Sequence, residues 1–445
     1  MYEKISCVLH ALIRAGFSPS EVDWDGDTAM TSFLKLLLDN PLFAVCDRDQ
    51  FGDHGWLIQS IMALLQENGA ALHVRNKEGY TAFDYLKKIS EFEDEGQPHV
   101  LAKIVGHQDD NSPEVIVLTP VPAMVVANGT CAVQTPEPQI CPDRQQPPTP
   151  IRLPCYFNIH GGGFCLGCPE DDDGWNRAFS DKHNIAVVEL DYRKAPAYPF
   201  PTAVHDVEAL MLAVYDDDSV PLDRYRVAVG GFSSGGNLAL AVCQLQTIRD
   251  TIKPSAVCPI YPVVDLATKP DKKATTRYYK PALGSGLRAS STDMLSPVSR
   301  FFGWSYLPYG QPLRDPLLSP LFAPREHLPR KVFIVAAELD RLAHEACRMA
   351  SLLAHRPEPS SDVRVGQEEL GVPGELILDD ERFAFRHVDG DGKEVQWLLI
   401  PDQIHGFDLE PAGFHGSEEA FRDAQVKAEA YQKILGDWLH KSVWG

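Results

Sequence analysis

Gly231-Phe232-Ser233-Ser234-Gly235-Gly236 is the stretch on which the fold is decided. It follows the apolar run Arg226–Val229 and leads into a helical stretch starting near Gly236. A Gly-x-Ser-x-Gly between a buried strand and a helix is a nucleophile elbow. The turn is so tight that the serine takes a strained backbone conformation, and side chains two residues before or after it would strike the neighbouring strand or helix. The register is unambiguous, because Phe232 stands where Ser234 would need its first glycine. The elbow aims Ser233 at a helix N-terminus, where free N–H groups stabilise developing negative charge.

Working outward, short apolar runs alternate with helical stretches over residues 151–445. The runs are Cys155–Ile159, Ile185–Leu190, Arg226–Val229, Ser255–Ile260, Val332–Ala337 and Gln396–Ile400. Each is nearly continuously apolar, as strands are when both faces of a parallel sheet are covered. Helices are expected at Pro201–Tyr215, Asn237–Arg249 and His344–Ala354, and from Ser417 to about Leu439. The alternation predicts an α/β protein with a doubly wound, mostly parallel sheet. Val115–Leu118 is a candidate first strand, and Phe383–Val388 with Lys393–Ile400 flank Asp389-Gly390-Asp391-Gly392 as a hairpin. Those aspartates have too few following ligands for a calcium loop.

Three further groups follow predicted strands. His160-Gly161-Gly162-Gly163-Phe164 lets backbone N–H groups approach a ligand unobstructed, as an oxyanion hole requires. A phosphate loop would need Lys and Ser/Thr next, and Phe164-Cys165-Leu166 supplies neither. Asp340, in Glu338-Leu339-Asp340, can orient an imidazole and stabilise its charged form. His405 lies in Pro401-Asp402-Gln403-Ile404-His405-Gly406-Phe407. The order Ser233, Asp340, His405 is that of nucleophile, acid and base on this type of sheet, and His160, which precedes the elbow, falls outside it.

Together these motifs resemble the hormone-sensitive-lipase-like family of α/β-hydrolases over roughly residues 113–445. Asp191-Tyr192-Arg193-Lys194-Ala195-Pro196 with Tyr198-Pro199-Phe200-Pro201 and Asp206 is similar to a family stretch, as is Asp315-Pro316-Leu317-Leu318-Ser319-Pro320. The resemblance implies a serine carboxylesterase with catalytic Ser233, Asp340 and His405, and oxyanion donors in the N–H groups of Gly162, Gly163 and Ser234. It also implies a cap over the pocket, at residues 266–330, where Tyr278, Tyr279, Phe301, Phe302, Trp304, Tyr306 and Tyr309 cluster; the same aromatics could instead be ordinary core. The chain departs from the family pattern at Phe232 for Asp, Ser234 for Ala and Ala197 for Glu, and in an insertion over 356–395. An amide or lactone hydrolase with the same triad and a non-catalytic receptor on the same fold are the alternatives; a receptor would be expected to have lost a triad member.

Residues 1–90 read as helical. Leu12-Ile13-Arg14-Ala15-Gly16 leading to Gly26-Asp27-Thr28-Ala29, and Leu64–Ala70 leading to Gly79-Tyr80-Thr81-Ala82, resemble ankyrin repeats, with a possible protein partner. The polar, acidic stretch 91–112 reads as a linker, and the Pro-, Thr- and Gln-rich 128–150 as a long exposed loop. The net charge of −21 disfavours nucleic acid and anionic lipid as partners. The ten cysteines, among which Cys165 and Cys168 form a lone Cys-x-x-Cys, read as reduced and packed. No apolar run reaches the length of a bilayer span and the N-terminus has no basic leader, so the cytoplasm is expected. A small apolar ester is the expected substrate, and the chemistry needs no cofactor.

Overall fold

The computed structural model describes residues 115–118, 152–284, 286–409 and 412–445. The ankyrin-like segment 1–90, the linker 91–112 and the loop 128–150 lie outside the described residues. One sheet holds β1 (Val115–Leu118), β2 (Leu153–Ile159), β3 (Ala186–Leu190), β4 (Leu222–Phe232), β5 (Ala256–Ile260), β6 (Lys331–Ala337), β7 (Ala384–Val388) and β8 (Glu394–Ile400), in the order β1-β3-β2-β4-β5-β6-β8-β7. Every neighbouring pair from β3 to β8 is parallel. The edge pairs β1/β3 and β7/β8 are antiparallel, the latter being the hairpin expected around Asp389–Gly392.

The helices are α1 (Asp173–His183), α2 (Thr202–Asp216), α3 (Ser234–Val242), α4 (Gln246–Thr251), α5 (Pro270–Thr275), α6 (Ser299–Tyr306), α7 (Ala343–Leu353), α8 (Ala412–His415) and α9 (Glu418–Trp438). Adjacent strand residues point to opposite faces, and each face has its own core. Phe157, Val188, Val229 and Ile334 pack with α2, α3 and α7 through Val207, Met211, Leu240 and Met349. Tyr156, Val187, Ala228 and Phe333 pack with α1 and α9 through Trp175, Phe179, Tyr431 and Trp438. Covering both faces is what made the central strands read as nearly continuous apolar runs.

The single helix expected over Asn237–Arg249 is two. Helix α3 starts earlier, at Ser234, and the chain breaks at Cys243–Leu245 before α4. There the Gln244 amide donates to the carbonyls of Leu240 (3.2 Å) and Pro316 (2.8 Å), and Leu245 is extended. Helix α9 is capped by Ser417, whose hydroxyl accepts the Ala420 N–H at 3.2 Å. Its buried Ala420, Ala424, Ala428, Tyr431 and Leu435 recur at three- and four-residue spacing, so one stripe faces the sheet.

Glu189 is a buried carboxyl inside β3, and only one of its oxygens is satisfied, by the Asn176 amide at 2.7 Å. Burial pushes it up to about 8, against an ordinary 4.5. The folded protein therefore holds a proton that the unfolded chain releases as pH rises through the ordinary value. Stability attributable to this group is full below that value and is lost as pH rises towards 8, by up to about 1.4 kcal/mol per pH unit. Glu189→Gln should flatten this fall, which thermal unfolding of both proteins between pH 5 and 9 would measure. An unchanged pH slope in the variant would remove Glu189 as its source.

Candidate active site

In an open parallel sheet, ligand sites form beyond the carboxyl ends of the strands. All the sequence-predicted residues lie there. The loop after β2 carries His160–Phe164, Ser233 follows β4, Asp340 follows β6 and His405 follows β8.

Ser233 has φ +55°, ψ −112°, the strained conformation that the elbow required. Its N–H donates to the Ile260 carbonyl at 2.9 Å, and its own carbonyl accepts the N–H of Val263 and of Asn237. The strain is thus held from β5 and from α3. A Cβ on Gly235 would collide with the Ile159 carbonyl oxygen, and one on Gly231 would lie 2.6 Å from the same atom. Helix and strand approach here as closely as backbones can. Asn237, which carried no role in the sequence reading, donates to Val263 O at 2.8 Å and Leu318 O at 3.0 Å. It ties α3 to the Asp315–Pro320 segment.

The three separated side chains meet. His405 Nε2 lies 2.9 Å from Ser233 Oγ, and His405 Nδ1 lies 2.6 Å from Asp340 Oδ2. A carboxylate only accepts, so the proton sits on Nδ1, and Nε2 is free to accept the serine O–H. Asp340 is held in turn by the Leu342 N–H on its other oxygen at 2.9 Å. All three are buried, and the Tyr261 ring packs 4.7 Å from the imidazole. Tyr261 is anchored by donating to Asp408 at 2.7 Å. That support was not legible in the sequence.

His160 stands apart from this chain. Its ring stacks on Tyr192 at 4.5 Å, and its nitrogens lie 2.7 Å from Gly161 O and 3.1 Å from Asp191 Oδ1. Burial, then the nearby Lys194 ammonium, lowers its pKa. It shapes the glycine loop. Gly162 and Gly163 adopt φ of +103° and +62°, and a Cβ on Gly163 would enter the Phe302 ring. Ser234 is the first residue of α3, so its N–H has no intrahelical acceptor.

Phe232, at the position where the family has Asp, is fully buried and meets Trp175 edge-on at 5.2 Å. The carboxylate is replaced by apolar packing against α1. The aromatic segment divides three ways. Phe302 and Tyr306 on α6 line a cavity of about 130 Å³ that opens at Ser233, Phe301 is buried, and Trp304 and Tyr309 are exposed. Tyr306 stacks on Phe164 at 3.8 Å. Helix α6 therefore roofs the pocket instead of joining the core alone. Among the described residues no three His, Cys, Asp or Glu side chains converge to hold a metal ion, and Cys165 and Cys168 are free thiols.

Two residues of the quoted motifs have roles the sequence did not suggest. Glu338 and Asp402 are both paired with Lys280, at 2.8 and 2.7 Å, and the Asp402 N–H donates to Glu338 at 2.8 Å. Glu338 also accepts the Gln367 N–H at 2.8 Å, and Asp402 the Gly371 N–H at 2.6 Å. The loop bearing Asp340 and the loop bearing His405 are thereby fastened to each other and to the 356–395 insertion.

A family model described as the alpha/beta hydrolase fold matches residues 156–369. An arylesterase of Saccharolobus solfataricus is 33% identical over 215 residues, 47% of this chain and 65% of that protein. An acetyl-hydrolase of Streptomyces hygroscopicus is 31% identical over 242 residues, 53% of this chain and 71% of that protein. The chain thus spans about two thirds of the length of these curated relatives. The solved structure of a thermostable carboxylesterase cloned from a metagenomic library superposes with a TM-score of 0.51 at 25% identity, covering 76% of this chain and 90% of that one. With the sheet order, the elbow and the matched family region in agreement, the chain belongs to the α/β-hydrolase family, in its hormone-sensitive-lipase-like branch.

Proposed function

We propose that this protein is a serine carboxylesterase acting on small apolar esters. The observation that carries the reading is the buried hydrogen-bond chain Ser233–His405–Asp340, whose serine lines an apolar cavity. His405 Nε2 takes the Ser233 proton as Oγ attacks the ester carbonyl, and a C–Oγ bond forms. Asp340 holds the resulting imidazolium. The N–H groups of Gly162, Gly163 and Ser234 receive the oxyanion. The C–O bond to the alcohol breaks, and His405 gives its proton to the leaving oxygen. Water, deprotonated by His405, then attacks the acyl-serine, releasing the acid and restoring Ser233. The names of the relatives (arylesterase, acetyl-hydrolase) agree with an ester substrate. The cavity volume, about 130 Å³, is near that of a protein cavity that admits benzene (about 150 Å³), which favours short acyl groups. The catalytic unit in this reading is 113–445, with the ankyrin-like 1–90 as a separate segment.

The test is a series of 4-nitrophenyl esters from acetate to decanoate, run beside labelling with a fluorophosphonate. Turnover should peak at short acyl chains, and a short-chain ester should protect against labelling. Absence of both turnover and labelling in correctly folded protein would overturn the proposal.

A further inference from the structure

Adjoining the apolar cavity is a second one of about 330 Å³, lined by Asp265, Thr268, Lys272, Lys273, Arg341 and Arg348, among others. The two share Thr268, Lys273 and Arg341, so the acyl pocket begins at Ser233 and ends on charged side chains. The acids here are committed to internal partners. Glu345 accepts the N–H groups of Val264 (2.8 Å) and Asp265 (3.2 Å) and pairs with Lys273 at 2.5 Å. Asp265 accepts the Ala267 and Thr268 N–H groups at 2.9 and 3.1 Å. Arg348 lies between Asp265 and Glu358, at 3.4 and 3.2 Å.

Four cations (Lys272, Lys273, Arg341 and Arg348) line this chamber with three carboxylates (Asp265, Glu345 and Glu358), which leaves one positive charge in surplus. Lys272 is exposed at the rim and has no ion-pair partner among the described residues. Arg341 is buried; it donates to Ser299 Oγ and the Pro270 carbonyl, both at 2.8 Å, which pins it under α5 and α6. Its Nε pairs with Asp293 at 3.8 Å, and its backbone N–H donates to the same carboxylate at 3.1 Å. An apolar segment that leads from a nucleophile to a surplus of positive charge suits a chain that is apolar near the ester and anionic at its tip. An acyl part lying here stays bound through both steps, because it remains on Ser233 after the alcohol leaves.

We propose that the preferred substrates are monoesters of short dicarboxylic acids, whose free carboxylate is received by Lys272, Lys273 and Arg341 in the polar chamber. This deepens the esterase reading and rests on it. The reaction is the hydrolysis already described: monoester and water give the diacid and the alcohol. A carboxylate at this place gains charge-assisted hydrogen bonds that a methyl group cannot make.

The experiment compares monomethyl succinate, glutarate and adipate with the methyl esters of butyric, pentanoic and hexanoic acid, followed by proton release. At least one monoester should exceed its neutral counterpart about tenfold in kcat/KM. Lys272→Ala and Lys273→Gln should each shrink that preference while hydrolysis of the neutral ester stays within about twofold in Lys272→Ala. Neutral esters turned over as well as every monoester, or a preference that survives both substitutions, would overturn the assignment. If neither ester class is hydrolysed and the fluorophosphonate fails to label, the esterase reading falls and takes this one with it.

Discussion

Ser233→Ala is expected to lower turnover of a short-chain aryl ester by about four orders of magnitude or more and to abolish fluorophosphonate labelling. In the proposed mechanism the substitution removes the only atom that forms the acyl bond, and it leaves the rest of the site in place. The backbone at position 233 is held by the Ile260 carbonyl and by the N–H groups of Val263 and Asn237, none of which touches the hydroxyl. The variant should therefore unfold at nearly the wild-type temperature, which separates a chemical loss from a structural one. His405→Ala should cost a similar amount, and the double variant little more than either single one, because nucleophile and base act as a unit. Retention of more than a tenth of wild-type turnover by Ser233→Ala would mean that another group is the nucleophile.

The second large effect belongs to a residue far from the reacting atoms. Lys280 is buried with two carboxylates, Glu338 and Asp402, and also donates to the Glu369 carbonyl at 2.8 Å. Lys280→Met should destabilise the protein by about 3–5 kcal/mol, since it leaves buried charge unpaired. Turnover should fall too, because Glu338 and Asp402 fix the approaches to Asp340 and His405. Burial raises the Glu338 carboxyl and the Lys280 ammonium opposes that rise. Without the ammonium the carboxyl can protonate on folding, and that proton uptake favours the folded state as pH falls. The deficit should therefore narrow on acidification, and adding Glu338→Gln should return part of the stability. Denaturant titration at two pH values reads both. A Lys280→Met protein as stable as the wild type at neutral pH would show that the triad of charges is not what joins the two loops.

Much of the site was readable because the chemistry dictates residue type at fixed offsets. The glycines around Ser233 are demanded by backbone contact: Gly235 faces the Ile159 carbonyl oxygen with no room for a methyl group. The parallel strands were readable for a related reason, since burial on both faces leaves few polar positions, and the runs at 155–159 and 332–337 lie wholly within β2 and β6. Less was legible where one residue serves a distant one. Nothing around Lys280 in the sequence marks it as the partner of residues 58 and 122 positions away. The break between α3 and α4 was invisible for the same reason, because Gln244 turns out of the helix to meet Pro316.

The sequence by itself determined the order of Ser233, Asp340 and His405 along the chain, the α/β alternation and the tight turn at Ser233, because each of these depends on neighbours a few positions away. Only the tertiary structure decided that His405 reaches Ser233, that Phe302 roofs the glycine loop, and that the cavity at Ser233 is also lined by Lys273 and Arg341. Those facts depend on where strands and loops distant along the chain come to rest, and a local pattern of residues carries no information about distances of that kind.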